Sequence, residues 1–404
     1  MIYPENFEEK IGFDQIRQLT INKCVSSLGI ECVENTSFSN DIKILNELLG
    51  ETEEFRQILL FDNPFPSQDY YDLKEEIHRI RVDGSYLETE ELGMLKSVLI
   101  TIKECLNYII HRGEEKYPIL FIKASSLIFD EQLIHQIDRI IDDKSTIKDN
   151  ASENLREIRK SLSRTMHNAT RKTMQCLKDA KKSGLIKDDA EVTIRNGRLV
   201  IPVPAANKRK VKGFIHDESA SGQTVFIEPQ EVIEDNNDIR DLMNAEKREI
   251  IQILIEITKE IRFQSEMILS SLIFLGKIDF IRAKAKLAID ISGIKPNLYD
   301  VPFIDWKKAV HPLLSLKFKP LKKTVVPLDI KLDDKQRILI ISGPNAGGKS
   351  VCLKTVGLVQ YMIQCGFLVP VHEISEFGIF DQLFIDMGDE QSIENDLRSE
   401  EHTS

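Results

Sequence analysis

The sequence predicts an α+β protein of several domains. Two long stretches with helical apolar spacing flank a short region of β-rich runs. Further along the chain, an apolar run enters a Gly-rich turn that is followed by a third helical pattern. The 404 residues, of which 42% are hydrophobic and 29% charged, exceed what one ordinary core organises. Two or three soluble, helix-rich domains are therefore expected.

The composition excludes several classes of protein. No window of the chain approaches eighteen consecutive apolar residues, and residues 1–5 lack the basic and apolar regions of a signal peptide. We therefore expect a cytoplasmic protein that does not contact a membrane. The six cysteines are scattered without a Cys-x-x-Cys pair, which favours reduced thiols packed as small hydrophobes over a metal site or disulfides.

Residues 1 to about 145 read as helices without a catalytic signature. The apolar spacing of residues 41–60 is typical of one such helix, and turn signals at residues 62–66 and 83–85 separate it from others. Taken alone, this region predicts a helical domain and no particular chemistry.

A long helix is predicted from the capping signal at Ser152 and Glu153. Its apolar residues recur at three and four positions as far as Ala180, and Ser183-Gly184 ends it. A second long helix follows Pro229, with an apolar stripe that reaches Ile261. The two helices are expected to form an antiparallel pair.

Between the two helices, four short runs at residues 191–195, 198–203, 213–216 and 224–228 have β character. Asn196-Gly197 is a strong hairpin turn, and residues 219–222 are a second candidate turn. These runs predict a compact sheet at the tip of the helix pair. His216, Asp217 and two nearby serines lack the context of a hydrolase, so a turn-forming role is the better interpretation.

Positive charge is concentrated in this part of a chain whose net charge is −11. Residues 151–212 contain sixteen Lys and Arg against six Asp and Glu, an excess of ten positive charges, so the remainder carries about −21. A solvated charged helix face explains the long helix equally well. At the sheet, however, the basic side chains suggest a clamp on a phosphate backbone. The candidate nucleic-acid-binding residues are Arg195, Arg198, Lys208, Arg209, Lys210 and Lys212.

The Gly-rich turn near the end of the chain has the pattern of a phosphate-binding loop. It consists of Gly343, Pro344, Asn345, Ala346, Gly347, Gly348, Lys349 and Ser350. A buried strand is predicted at residues 338–341 before it, and a helix ending at Cys365-Gly366 after it. In such a loop backbone N–H groups surround the phosphates, Lys349 reaches the β and γ oxygens, and Ser350 ligates Mg²⁺. The alternative is a chance match to a Gly-rich turn.

Three further elements are predicted around the loop. A helix is expected at residues 278–288, and strands are expected at residues 325–330 and 380–386. An acidic turn at residues 387–392 follows the last strand.

Four segments together resemble the second type of bacterial MutS, a paralogue of the mismatch-repair ATPase. They are residues 149–159, residues 192–229, residues 343–350 and residues 386–393. The second segment, which includes Val211-Lys212-Gly213-Phe214-Ile215-His216-Asp217-Glu218-Ser219-Ala220-Ser221-Gly222, is diagnostic of this type, whereas the phosphate loop alone fits many nucleotide-binding ATPases. Weaker similarity extends from about Phe13 to Leu397.

The resemblance implies a helical core at residues 1–148 and lever helices at residues 149–270 with a β clamp at about residues 189–228. It also implies, at residues 271–397, the first part of an ABC-type P-loop α/β ATPase domain that uses ATP and Mg²⁺. The mismatch-reading domain of ordinary MutS has no counterpart here. Members of this family are homodimers that bind branched DNA and suppress recombination, while some act on stalled or collided ribosomes through rRNA, and they usually end in an Smr nuclease domain.

The end of the chain departs from the family pattern. Residues 398–404 resemble the translation of a sequencing adapter and are expected to be a non-native tail on a C-terminally truncated fragment. The family's Walker B acids are not found, and Asp386, Asp389 and Glu390 precede the segment that would supply them. No catalytic residue is therefore assigned, and this polypeptide is expected to hydrolyse little ATP.

Three functions are consistent with these features. The first is an ATPase of DNA metabolism whose nucleotide state controls its grip on branched DNA. The second is a ribosome-acting ATPase that contacts rRNA, which presents the same phosphate charge as DNA. The third, a chromosome-condensing long-helix protein, would need heptads sustained well beyond this helix pair.

Overall fold

The computed structural model describes residues 2–62, 64–342 and 348–386. These residues form two compact units. Unit 1 draws on residues 1–78, 97–131 and 264–404, and unit 2 on residues 79–96 and 132–263. Within the described ranges, no helix is both long enough and apolar enough to cross a membrane.

Helices make up most of the described chain, with three small sheets. The helices are α1 (Phe7–Ile11), α2 (Phe13–Ile21), α3 (Ser27–Glu34), α4 (Ile42–Gln57), α5 (Lys74–Arg79), α6 (Thr89–Arg112), α7 (Pro118–Ser125), α8 (Gln132–Ile140), α9 (Glu153–Lys182), α10 (Ile233–Phe263), α11 (Ser265–Ile291), α12 (Pro312–Phe318) and α13 (Lys349–Gln364). The strands are β1 (Ile2–Tyr3), β2 (Thr193–Arg195), β3 (Arg198–Pro204), β4 (Gly213–Glu218), β5 (Thr224–Pro229), β6 (Asn297–Tyr299), β7 (Ile304–Ala309), β8 (Leu328–Leu332), β9 (Glu376–Gly378) and β10 (Leu383–Phe384).

Helix α9 of unit 2 begins and ends where the sequence predicts. The Ser152 hydroxyl accepts a 2.9 Å hydrogen bond from the Leu155 N–H, which satisfies one of the unpaired amides of the first turn. Ser183 caps the other end, and Gly184 follows with φ of +66°. The helix therefore runs through 30 residues without interruption.

Helices α9 and α10 are antiparallel, as predicted. Arg159 near the start of α9 pairs with Glu246 in the middle of α10 at 2.7 Å. Lys172, further along α9, pairs with Asp235 in the first turn of α10, also at 2.7 Å. The later residue of α9 contacts the earlier residue of α10, so the two helices run in opposite directions.

The four predicted β runs form one sheet in the order β2-β3-β5-β4, with every neighbouring pair antiparallel. We call this sheet the tip sheet. The β2–β3 turn is made by Asn196 (φ +48°) and Gly197 (φ +74°), the positive φ pair that a two-residue hairpin of this kind requires. The second predicted turn is closed by a 2.7 Å hydrogen bond from the Gly222 N–H to the Ser219 carbonyl.

One face of the tip sheet is packed against the end of α9. Alternate residues of two central strands point to this side, and their apolar side chains meet those of the helix and of the segment after it. The cluster contains Ile201, Val203, Val225, Ile227, Leu177, Ala180 and Ile186. The small core fixes the tip sheet on the end of the helix pair.

Unit 1 is built around α13, the helix predicted after the Gly-rich turn. All seven residues from Leu358 to Gln364 are buried, as expected of a helix whose last turns are enclosed by other elements. The predicted stop is confirmed, because Cys365 caps the helix and Gly366 follows with φ of +76°.

A mixed sheet of unit 1 has the order β6-β9-β7-β8. β6 and β9 are parallel, whereas β7 is antiparallel to both of its neighbours. Trp306 of β7 is fully buried and stacks on Phe377 of β9 at 4.6 Å between ring centroids. This is the only tryptophan in the chain.

The prediction of a buried strand at residues 338–341 is wrong. Ile338 and Ile340 are each 84% exposed, and the segment lies outside every strand of the described chain. An apolar run becomes a strand only when neighbouring strands satisfy its backbone groups, and β8, the preceding strand, pairs with β7 instead.

Three other predictions were right in type and wrong in extent. The strand expected at residues 325–330 begins later, at Leu328. The strand expected at residues 380–386 is reduced to β10, which pairs in parallel with β1 from the other end of the chain. The helix expected at residues 278–288 is part of the 27-residue helix α11.

Candidate nucleic-acid interface and nucleotide-binding segment

Four of the six candidate nucleic-acid-binding residues lie together in the loop between β3 and β4. We call Lys208, Arg209, Lys210 and Lys212 the basic loop. All four are exposed, and none forms an ion pair within the part of the chain that the structure describes. The loop is anchored at its start by Asn207, whose side-chain amide donates a 2.9 Å hydrogen bond to the Leu185 carbonyl.

The positive charge of α9 is partly neutralised within unit 2. Arg159 contacts both Asp149 and Glu246, and Lys172 contacts Asp235. The acids come largely from α10, so the excess counted along the sequence overstates the field of the helix pair. The basic loop has no such ion pair among the described residues, so its four exposed cations remain open to an anion.

Arg198 differs from the basic loop because its guanidinium is engaged inside the tip sheet. It donates 2.8 Å hydrogen bonds to the carboxylate of Glu228 and to the side-chain oxygen of Asn237. Its side chain is only 18% exposed. This geometry orients Arg198 and limits its contact with solvent.

Glu228 is the centre of this network. It is 1% exposed and accepts hydrogen bonds from Arg198, from His216 and from Asn236 of α10, the last at 2.6 Å. Burial raises the pKa of Glu228, but the hydrogen bonds from these three residues outweigh it and hold the pKa below its ordinary value. Glu228 therefore stays ionised at neutral pH and ties the sheet to the start of α10.

Arg195 lies on the same sheet with a different partner. Its guanidinium carbon is 4.4 Å from the centroid of the Phe226 ring, a cation–π arrangement. The Asp217 carboxylate is 3.7 Å away, and the Arg195 side chain is 45% exposed. The guanidinium thus stacks on an aromatic ring while remaining open to solvent.

Of the polar residues that could suggest a hydrolase, the two serines make the contacts of a turn, whereas the turn-forming role expected for His216 and Asp217 is wrong because both lie in strand β4. The Ser219 hydroxyl accepts a 3.0 Å hydrogen bond from the Thr224 N–H and lies 3.4 Å from the Ser221 hydroxyl. His216 is bound to Glu228 rather than to either serine. No nucleophile and base are brought together at this turn.

The nucleotide-binding segment is described only in part, because Gly343, Pro344, Asn345, Ala346 and Gly347 lie outside the described residues. Gly348 caps α13 with φ of +78°, and a Cβ there would meet nothing within 4 Å. Lys349 and Ser350 are the first two residues of the helix, both half-buried. The first turn contains no acidic residue.

This helix start fits a phosphate group. The amides of the first turn and the helix dipole favour an anion, and Lys349 adds a positive charge at the same end. The described residues contain no cluster of three or more His, Cys, Asp or Glu that could hold a metal ion. Of the acidic candidates, Asp386 is exposed, whereas Asp389 and Glu390 lie outside the described residues.

None of the six cysteines forms a disulfide bond. Cys105 and Cys365 are buried, and the other four are half-buried. Burial raises the pKa of Cys105 to about 12, so this thiol is not a reactive nucleophile at neutral pH.

Comparison with known proteins identifies the family. Residues 339–399 match the family described as MutS domain V. The chain is 37% identical over 395 residues to an endonuclease MutS2 of Finegoldia magna, covering 96% of this chain and 48% of the relative. The chain is a MutS2 homologue. MutS domain V is an ATPase domain, and its presence implies ATP binding.

Other MutS2 relatives give the same coverage. An endonuclease MutS2 of Geobacillus is 35% identical over 389 residues, with 96% of this chain and 49% of the relative aligned. A putative endonuclease MutS2 of Bacillus subtilis is also 35% identical, with 96% and 48% aligned. The chain therefore spans about half the length of the curated MutS2 relatives it matches.

Two features of the MutS2 homologue were missed by sequence reasoning. Glu228 looks like an ordinary surface acid, and its burial depends on side chains from β3 and α10. Phe214, directly after Lys212 and Gly213, is 63% exposed on the edge strand β4. The basic residues before Phe214 were the available signal, since aromatic side chains interleaved with basic ones are typical of nucleic-acid surfaces.

Proposed function

We propose that this chain is the ATP-binding and nucleic-acid-gripping part of a MutS2 protein that binds branched DNA and restrains recombination. The observation that carries the proposal is the basic loop, whose four exposed cations stand without acidic partners among the described residues. Phosphate contacts of this kind hold a duplex or a junction without reading its sequence.

ATP would bind at the start of α13. Lys349 would contact the β and γ phosphates, the loop before it would surround them, and Ser350 would supply a hydroxyl ligand to Mg²⁺. The bound Mg²⁺ would neutralise phosphate charge. Binding there would control the grip of the lever helices and the clamp in a cytoplasmic homodimer.

Charge reversal of the basic loop tests the grip. Changing Lys208, Arg209, Lys210 and Lys212 to Glu removes four phosphate contacts, so the slope of log affinity against log salt on duplex DNA falls by about 3 to 4 units. The matched control reverses four exposed lysines of unit 1, namely Lys317, Lys319, Lys322 and Lys323. An unchanged slope in the charge-reversed basic-loop variant would show that the basic loop is only a solvated surface.

Competition binding tests the choice of branched DNA over ribosomes. Labelled four-way junction DNA is bound by the full chain and then challenged with unlabelled ribosomes or unlabelled junctions at equal phosphate concentration. We expect junctions to compete better. Stronger competition by ribosomes would contradict the DNA assignment and identify rRNA as the target instead.

A further inference from the structure

The second face of the tip sheet points away from the apolar cluster on α9, and Asn236 and Asn237 of α10 contact it at Glu228 and Arg198. Strand pairing places Arg195 opposite Arg198, Pro202 opposite Phe226, and Phe214 opposite Glu228. Because side chains alternate along a strand, all of these residues share the face that points away from Ile201 and Ile227. We call it the outer face.

Phe214 gives the outer face an exposed aromatic ring at its edge. The ring belongs to β4, whose other side has no partner strand among the described residues, and it is 63% exposed. Its backbone is held closely, because a Cβ at Gly213 would lie 2.0 Å from the Glu228 carbonyl oxygen. Phe214 is therefore held in place directly beside the basic loop, two residues from Lys212.

A second flat surface lies on the adjacent strand. Phe226 is diagonal to Phe214 across the β4–β5 pair, since the residue opposite Phe214 is two positions further along β5. The Arg195 guanidinium covers Phe226 at 4.4 Å and is itself 45% exposed. Nucleobases stack on aromatic rings and on guanidinium planes alike.

We propose that the outer face is a stacking platform for unpaired nucleotides, with one base on Phe214 and another on the Arg195–Phe226 stack. The inference rests on the proposed function and adds to it the class of nucleic acid that the tip recognises. The basic loop would hold the phosphates of the same strand. Single-stranded DNA at a branch and single-stranded RNA offer this chemistry in common.

Two alternatives fit the outer face less well. A base-paired duplex hides the faces of its bases within its own stack, so Phe214 would gain nothing from it. A second copy of this chain pairing along β4 would use only the backbone groups of this edge strand, so it would engage neither the exposed ring of Phe214 nor the cations beside it. The charge of the loop thus favours a polyanion with accessible bases.

Single substitutions in the full chain test the platform. Affinities are measured by fluorescence anisotropy for single-stranded and duplex oligonucleotides of equal length, as DNA and as RNA, at one salt concentration. Phe214→Ala should weaken single-strand binding by about 5- to 100-fold and change duplex binding by less than about 2-fold. Phe214→Trp should retain single-strand binding because it preserves the ring face.

Ile194→Ala is the matched control. Ile194 is 62% exposed on the opposite edge strand β2 and pairs with Leu199, which places it on the other face. This variant should leave single-strand binding unchanged. A preference for DNA or for RNA among the single strands would show which source the platform serves.

Three outcomes would overturn the platform. They are unchanged single-strand affinity in Phe214→Ala, equal losses on single strands and duplexes, and loss of self-association with single-strand binding intact. The proposed function is judged separately by the charge-reversed basic loop. If that variant weakens all binding while Phe214→Ala has no effect, phosphate binding by the basic loop is supported and base stacking on the outer face is refuted.

Discussion

The Arg198 guanidinium donates a 2.8 Å hydrogen bond to the buried carboxylate of Glu228, thirty residues further along the chain. The pair joins β3 to β5 across the outer face and separates Arg198 from the exposed cations of the basic loop. A residue that looks in the sequence like one more phosphate contact is therefore part of the framework of the tip sheet.

Substitution of Arg198 should act on stability more than on DNA binding. Arg198→Met leaves the buried Glu228 carboxylate without its permanently charged partner, which should lower the free energy of unfolding by about 3 to 5 kcal/mol. Urea denaturation followed by circular dichroism measures the loss. The salt slope for duplex DNA should change by less than the roughly 0.9 units of one phosphate contact.

Lys210→Met is the control for Arg198. This residue is exposed, so its substitution should change stability by no more than about 0.5 kcal/mol while lowering the salt slope by about 0.9 units. The reverse ranking of the two variants would show that Arg198 contacts phosphate directly.

His311 should make the stability of unit 1 depend on pH. The ring is 1% exposed, and neither of its nitrogens has a hydrogen-bond partner among the described residues. Burial, with a smaller contribution from the nearby charge of Lys354, lowers the pKa of His311 to about 4. The folded protein therefore keeps this ring neutral, whereas the unfolded chain protonates it near pH 6.5.

The sign of the effect follows from proton uptake by the unfolded chain. The free energy of unfolding should fall by up to about 3 kcal/mol as pH drops from 6.5 to 4, since only the unfolded state binds the proton in this range. His311→Leu should remove that portion of the pH dependence, and the exposed His78→Leu should retain it. Urea midpoints can be followed by the fluorescence of Trp306, which lies in the same unit. Identical pH profiles for the two variants would contradict the assignment.

Substitutions of Lys349 and Ser350 should distinguish the phosphate contact from the Mg²⁺-dependent part of ATP affinity. Lys349→Ala removes a charge-assisted contact to the phosphates and should weaken ATP binding by about 10- to 100-fold. Ser350→Ala should lose chiefly the gain in affinity that Mg²⁺ provides. Titration with a fluorescent ATP analogue, with and without Mg²⁺, distinguishes them, and Lys319→Ala serves as the control. Unchanged binding by the Lys349 variant in a full-length protein would overturn the site.

The exposed apolar segment at residues 338–341 should promote self-association. Ile338→Lys with Ile340→Lys replaces two side chains that are each 84% exposed, so folding should be unaffected while association decreases. Sedimentation velocity at several concentrations measures this. Val326→Lys is the control, because Val326 is 89% exposed and lies outside this segment. Equal association by all three proteins would show that the segment does not mediate contacts.

The elements set by local chemistry were predictable from the sequence. The Ser152 cap and the Asn196-Gly197 turn have their effect within a few residues, so α9 and the β2–β3 hairpin follow from the sequence directly. The pairing of β1 with β10 joins segments about 380 residues apart and left no local signal. The prediction of a strand at residues 338–341 failed because an apolar run does not specify which strands lie beside it.

The candidate site divides in the same way. The cations of the basic loop were found from charge alone. The different environments of Arg195 and Arg198 could not be predicted from the sequence. They depend on Glu228, Asn237 and Phe226, which other elements supply.

Two ion pairs between α9 and α10 favour a single alignment of the helix pair. Arg159 with Glu246 and Lys172 with Asp235 hold the same alignment at two points along the pair. A 30-residue helix is about 45 Å long, so a turn of only 5° about the Ser152 end would carry the far end through roughly 4 Å. Such a displacement is comparable to the spacing between neighbouring strands, so a slight change of angle at one end of the helix pair would move the tip sheet by about the width of one strand.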